Sequence, residues 1–390
     1  MRKTEGAIVV HGGGPTAVLN ASLAGVIAES RERGVERLFG ARFGVGGLIS
    51  RDWIALGNLT PEDIEGIRRA PGSVLGSSRQ KLEPEDAERL PKLLKEAGIA
   101  AILYTGGNGS METALLLHST ARAAHPDLRV IGMPKTIDND LAGTDHSPGY
   151  GSAARFFAHA LRDIGADNRA LPPPVSIVEV LGRNAGWIAG ATALARTRAG
   201  DPPHLIYMPE RPPSIEKISA DIVEVHRQFG FVVAAVCEGL RDPDGEPFGA
   251  EVNRPGSRKH ELAVNLGHTL ARAVSERTGL RARAEKPGLL GRSSAMAASA
   301  SDAAESYLCG REAVRAASSG HSGVMVTLRR LSDDPYRVET GLVALDQVAG
   351  RERTVPLDWI VEAGNGVTAG FLRYVRPLAG DVPAHARLEG

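Results

Sequence analysis

Short runs of aliphatic, β-branched residues recur along this chain, apolar at consecutive positions, and several lead through glycine into a helical pattern. Ala7-Ile8-Val9-Val10 turns at Gly12-Gly13-Gly14 into a helix expected over about Ala17–Arg33. Ala100-Ala101-Ile102-Leu103-Tyr104 turns at Gly106-Gly107 into a helix through Ala114 to Ala123, and Leu128–Met133 enters a polar loop at Lys135. Further runs lie at Val175–Leu181, Leu205–Met208, Phe231–Val236 and Val324–Leu328. A strand with no polar face has to be covered on both sides, and alternation with helices supplies the cover. The pattern therefore predicts an α/β fold with a largely parallel sheet. Ligands of such sheets sit beyond the carboxyl ends of the strands, where the glycine-rich turns fall.

At 390 residues the chain exceeds one comfortable core, so two domains are expected. A boundary is expected near Ser147-Pro148-Gly149-Tyr150-Gly151, before a helix over Ser152–Ile164. Leu171-Pro172-Pro173-Pro174 makes a stiff entry to the next strand, and residues 241–260 read as a polar, exposed excursion. Lys+Arg and Asp+Glu both number 46, a balance that argues against nucleic acid or an anionic membrane as the main partner. Cys237 and Cys309 are too few for a disulfide framework or a zinc cluster and read as small buried hydrophobes. The first apolar run is too short for a signal peptide or a membrane span, so a cytoplasmic location is expected.

Three loops carry chemistry. Gly12-Gly13-Gly14-Pro15-Thr16 and Gly106-Gly107-Asn108-Gly109-Ser110 each join a strand to a helix, where bare backbone and free N–H groups favour an anion. Either one alone equally fits a plain tight turn. The third, Pro134-Lys135-Thr136-Ile137-Asp138-Asn139-Asp140, holds an amine, a hydroxyl and two carboxylates. Phosphoryl transfer to an alcohol needs a base, a carboxylate for Mg²⁺ and a cation on the moving charge, and this loop offers all of them. Asp138 and Asp140 by themselves also fit an Asx-turn with solvated acids. His11 reads as a structural histidine, and Trp53 and Trp187 as packing residues.

Gly13 to Asn20, Gly106 to Ser110, Pro134 to Asp140, Glu179 to Trp187, Cys237-Glu238-Gly239 and Gly288 to Ser293 occur in this order over about residues 7–330. Together they resemble the phosphofructokinase family. The resemblance implies two Rossmann-like three-layer α/β domains with largely parallel sheets. Residues 1–149 would bind the donor, completed by segments after about 287, and 150–286 would bind the sugar phosphate. Residues 287–390 would be return segments and a C-terminal extension. The implied activity is a Mg²⁺-dependent transfer of phosphoryl to the 1-hydroxyl of fructose 6-phosphate, by a homo-oligomer.

Position by position, the resemblance makes Asp138 the base, with Lys135 and Thr136 at the moving phosphoryl group. Asp140 and Asn108 would hold magnesium. Gly14, Arg79, Gly107, Asn108, Gly109 and Ser110 match donor-binding loops. Thr136, Ile137, Asp138, Leu181, Gly182, Arg183 and Glu238 match the sugar side, with Arg283 and Arg292 on its 6-phosphate. Asn108 stands where the family usually has aspartate, Pro174 where an arginine is expected, and Leu289 where a histidine is expected. Gly109 leaves open the space that an aspartate fills in pyrophosphate users, whereas Lys135 is shared with them. On Gly109 the expected donor is ATP, with pyrophosphate the alternative. Another ketose phosphate as acceptor, or a non-catalytic regulatory paralogue, are further alternatives. A dinucleotide oxidoreductase fits poorly, since Gly12-Gly13-Gly14 lacks the spaced glycine fingerprint and no acidic residue stands alone at the end of a following strand.

Overall fold

A computed structural model of the chain describes residues 5–171, 175–248 and 265–386. Pro172, Pro173, Pro174 and the part of the polar excursion from residue 249 onward lie outside the described residues. In chain order the elements are β1 (Gly6–His11), α1 (Leu19–Glu32), β2 (Leu38–Ala41), α2 (Val45–Ser50), β3 (Trp53–Ala55), α3 (Pro61–Arg69) and α4 (Pro84–Glu96). Then come β4 (Ile99–Gly106), α5 (Asn108–Ala124), β5 (Arg129–Pro134), α6 (Tyr150–Ala170), β6 (Val175–Val180), α7 (Trp187–Ala191), β7 (Leu205–Tyr207), α8 (Ile215–Phe229) and β8 (Val232–Cys237). The last are α9 (Leu266–Thr278), β9 (Ala282–Glu285), α10 (Leu290–Ser293), α11 (Ala300–Ser318), β10 (Val324–Asp333), β11 (Tyr336–Ala344) and α12 (Ala369–Ala379). They fall into two compact units, Met1–Ser152 with Arg292–Arg353, and Ala153–Gly291 with Thr354–Gly390.

The first unit holds a seven-stranded sheet in the order β11-β10-β5-β4-β1-β2-β3. Its interior pairs are parallel, and only the edge strands β3 and β11 run antiparallel. Alternate side chains serve opposite faces. Ile8, Val10, Ile102, Tyr104 and Val130 pack with Leu90 and Leu94 of α4 and Met111 and Leu117 of α5. Ala7, Val9, Ala101, Leu103 and Met133 pack with Leu23, Val26 and Ile27 of α1 and Cys309 and Val314 of α11. The result is helix, sheet, helix. On the second face α1 and α11 meet backbone to backbone: a Cβ on Gly25 would stand 2.1 Å from the Tyr307 oxygen, and one on Gly310 1.9 Å from that of Ser22.

The second unit holds a four-stranded parallel sheet, β7-β8-β6-β9. Val175, Ile177, Val232 and Ala234 pack with Ile218 and Ile222 of α8 and Leu266 and Leu270 of α9. Trp187, fully buried, stacks on Phe371 at 6.1 Å and contacts Tyr374 at 5.3 Å. A Cβ on Gly190 would stand 2.6 Å from the Phe371 ring, so that glycine admits α12. The motif-free chain after Arg353 thus supplies a helix to this unit. Cys237 and Cys309 are both buried, and neither forms a disulfide among the described residues. Among the described residues no helix is long and apolar enough to cross a membrane.

Candidate active site

In the first unit β5, β4 and β1 lie side by side, so the loops leaving their carboxyl ends are neighbours. Gly12 N–H donates to the Thr105 carbonyl at 2.8 Å and Lys135 N–H to that of Gly106 at 3.1 Å. The Ser110 side chain is wedged between two of these loops: a Cβ on Gly12 would come within 2.2 Å of its Oγ, and one on Gly106 within 2.0 Å. A Cβ on Gly107 would lie 3.6 Å from the Lys135 oxygen and 3.7 Å from the Thr136 Cβ, which brings the start of α5 against the third loop.

Lys135 is buried, at 3% exposure, and its Nζ donates to the carbonyls of Gly12 at 2.6 Å and Gly14 at 2.7 Å. Burial pushes its pKa down to about 7; Arg292 and Arg79 push the same way, against Asp138 and Asp140. Both arginines reach the same peptide, since a Cβ on Gly14 would stand 2.9 Å from Arg292 Nη1 and 3.6 Å from Arg79 Nη2. Lys135, Arg79 and Arg292 therefore converge on Gly14, an arrangement suited to a polyanion.

Asn108 Nδ2 approaches Asp140 Oδ2 at 3.5 Å. Asn108 Oδ1 and Asp140 Oδ1 are buried and have no hydrogen-bond partner among the described residues. Burial raises the Asp140 carboxyl above its usual range. No group of three or more His, Cys, Asp or Glu able to hold a metal occurs among the described residues. Mg²⁺ commonly takes one or two carboxylates and completes its shell with phosphate and water, so this oxygen pair fits it.

Asp138 is half-buried, and its N–H donates to Thr136 Oγ1 at 3.1 Å. Asn139 beyond it is fully buried at φ +54°, and its side-chain oxygen accepts from Ser147 N–H at 3.0 Å. Ile137 is half-buried. His11 lies beside this loop set, with Nδ1 2.8 Å from Ser73 Oγ, which itself donates to the Gly76 carbonyl. That serine can only accept from the ring, and burial pushes the His11 pKa down to about 3, so the imidazole is neutral.

In the second unit the loop after β6 lies on the loop after β8. Gly239 N–H donates to the Gly182 carbonyl at 3.1 Å, and Gly182 N–H to Glu238 Oε1 at 3.3 Å. A Cβ on Gly239 would stand 1.4 Å from the Arg183 oxygen, so only glycine allows the stacking. Leu181 follows the last residue of β6 and is half-buried, whereas Arg183 is exposed. Burial raises the Glu238 carboxyl. Arg283 on β9 is held by Asp167 at 2.7 Å, Asn168 at 2.6 Å and Ser176 at 3.1 Å.

Two features escaped sequence reasoning. Arg292, expected on the sugar 6-phosphate, lies against the Gly14 loop of the first unit. In the second unit Lys286 Nζ reaches Glu179 Oε1 at 2.6 Å, while Oε2 accepts from Gly267 N–H at the start of α9. The signal for the latter was visible: Glu179 is an acid inside an otherwise largely apolar strand.

The sequence profile described as Phosphofructokinase matches residues 6–317. A pyrophosphate–fructose 6-phosphate 1-phosphotransferase of Rhodospirillum rubrum is 39% identical over 381 residues, covering 96% of this chain and 94% of its own. A sulfofructose kinase of Alkalicoccus urumqiensis is 34% identical over 353 residues, covering 90% of each chain. The crystal structure of a pyrophosphate-dependent phosphofructokinase from Nitrosospira multiformis superposes with a TM-score of 0.88 at 31% identity, covering 100% of this chain and 95% of its own.

Proposed function

The chain belongs to the phosphofructokinase family, and from that premise we propose that it transfers phosphoryl from pyrophosphate to the 1-hydroxyl of fructose 6-phosphate. The observation that carries the donor reading is the meeting of Lys135, Arg79 and Arg292 on the Gly14 peptide, with the lysine buried and tied to two carbonyls. Such a charge density suits a compact anion with no neutral body. The expectation of ATP rested on Gly109, where a Cβ would meet nothing within 4 Å. Open space permits a nucleotide but offers no contact that selects one. Relatives named for pyrophosphate and matched over nearly their whole length support the other donor, so this reading takes pyrophosphate in place of ATP.

In this reading Asp138 takes the proton from the sugar hydroxyl as the bond to phosphorus forms. Two N–H groups of Lys135 are occupied by Gly12 and Gly14, which leaves one donor for the phosphate being released. Arg79 and Arg292, both near Gly14, stabilise the same negative charge. Asp140 and the Asn108 carbonyl oxygen would hold Mg²⁺, which when bound neutralises charge on the donor. On the acceptor side Arg183 and Glu238 orient the sugar, and Arg283 exchanges a side-chain partner for the 6-phosphate.

The test is turnover of fructose 6-phosphate with Mg²⁺ and either pyrophosphate or ATP, read as fructose 1,6-bisphosphate. Turnover with pyrophosphate and not ATP is expected. Turnover with ATP alone would restore Gly109 as the deciding residue. Turnover of sulfofructose without turnover of fructose 6-phosphate would move the reading to the acceptor class of the Alkalicoccus relative. Binding of fructose 6-phosphate with no turnover by either donor would mark a regulatory protein.

A further inference from the structure

One face of α11 carries Asp302, Glu305 and Ser306, all buried, none more than 3% exposed. Each holds a segment that flanks the phosphoryl-transfer loops. Ser306 Oγ donates to the Val18 carbonyl at 2.7 Å, at the entry to α1 and just past the Gly12–Thr16 turn. Glu305 takes His146 Nε2 at 2.7 Å and the Tyr336 hydroxyl at 2.6 Å. Asp302 accepts Gly149 N–H on Oδ1 at 2.8 Å, and on Oδ2 both Ser152 N–H at 2.8 Å and Ser152 Oγ–H at 2.5 Å.

Gly149 is the junction of the site. Its backbone bridges Thr136, and Thr136 N–H donates to the Pro148 carbonyl at 3.2 Å. A Cβ on Gly149, at φ +108°, would stand 2.8 Å from the Thr16 methyl. Thr136 in turn accepts from Asp138 N–H. A single amide, pinned by a carboxylate 153 residues further along the chain, thus fixes the register between the loop of Asp138 and the start of α6. The carboxylate also caps α6, where free N–H groups and the helix dipole favour a negative charge. Burial pushes Asp302 up to about 6, against its hydrogen bonds from Ser152 and Gly149. The pin does not drift, because Gly25 and Gly310 seat α11 directly on the α1 backbone.

We propose that Asp302 is a positioning residue for phosphoryl transfer, holding Thr136 and Asp138 in register through Gly149. The kinetic part rests on the reading of Asp138 as the base; the positional part does not. Full-length Asp302→Asn and Ser152→Ala are compared with the parent by amide hydrogen exchange and by kinetics with pyrophosphate and ATP. In Asp302→Asn, exchange across residues 136–150 should rise at least about tenfold while β6 keeps its parent rate. Its kcat should fall at least about tenfold, with the KM for fructose 6-phosphate within about twofold. Ser152→Ala, which keeps the Gly149 bond, should shift kcat in the same direction by about two- to fivefold. A folded Asp302→Asn with parent-like exchange and kcat would overturn the proposal, as would faster exchange throughout the chain. If Asp302→Asn does not fold, Ser152→Ala decides: unchanged kcat and unchanged exchange in residues 136–150 overturn it. Should the parent turn over neither donor, the functional reading fails, and exchange alone decides the positioning role.

Discussion

The loop set of the first unit and that of the second hold their charged groups by different means. Lys135 is fixed by two main-chain carbonyls and Ser110 is clamped between glycines. Arg283 is held by an aspartate, an asparagine and a serine side chain and stays 45% exposed, and Arg183 is exposed on a stacked backbone. Backbone partners cannot rotate away, so Lys135 is placed before any ligand arrives. Side-chain partners in half-exposed positions are weak and exchangeable. Under the proposed function, the first kind of holding serves chemistry and the second serves capture and release of an acceptor.

The sharpest test of this contrast is Asp138→Asn, for which kcat with fructose 6-phosphate should fall by roughly 10³-fold at nearly constant KM. A KM change as large as the kcat change would erase the division between the two units. Lys135→Met should lower kcat/KM for pyrophosphate about 10²-fold, while thermal melting stays level or rises, because a buried charge is removed. A large loss of melting temperature would mean that Lys135 serves the fold more than the donor. Arg283→Ala should raise the KM for fructose 6-phosphate about five- to tenfold with kcat nearly unchanged, and barely alter stability.

Protonation tests the same buried lysine. Its folded pKa lies near 7 against an ordinary 10.5, so between those values the folded protein binds fewer protons than the unfolded chain. Stability should therefore rise with pH across that window. Donor binding, which needs the ammonium, should weaken over it, and KM for pyrophosphate measured from pH 7 to 9 should increase. A flat profile would place the Lys135 pKa near its ordinary value. The smallest effect is expected of Gly109→Asp, whose Cβ meets nothing within 4 Å; pyrophosphate turnover should stay within about threefold.

Much of the fold was legible because the central strands are apolar on both faces, and that property survives without tertiary knowledge. The edges were not. β11 is half-exposed over most of its length and carries Arg337, Glu339 and Thr340 in its first half, and β9 reads Ala-Arg-Ala-Glu, so neither is apolar throughout like the interior strands. α5 begins at Asn108, inside the glycine turn, because the helix starts where the turn's free N–H groups point. Loops of contiguous residues, such as Pro134–Asp140, could be read as chemistry since their neighbours in sequence are their neighbours in space. Asp302 and Glu305 could not: two acids on a helix ordinarily face water, and only the seat of α11 turns them inward. The approach of Arg292 to Gly14 could not be read for the same reason, the two being distant along the chain.

The glycine-to-carbonyl seat between α1 and α11 also has a temporal side. Ser306 closes on Val18 across 288 residues, and Gly25 admits no substitute for the Tyr307 carbonyl. During synthesis the whole of the chain from Ala153 to Gly291 leaves the ribosome before α11 exists. Until then Leu23, Val26 and Ile27 lack the part of their packing that α11 gives them, and the intervening segment, though already made, still lacks α12. The half of the molecule that begins first cannot be sealed until α11, which ends at Ser318, has been made.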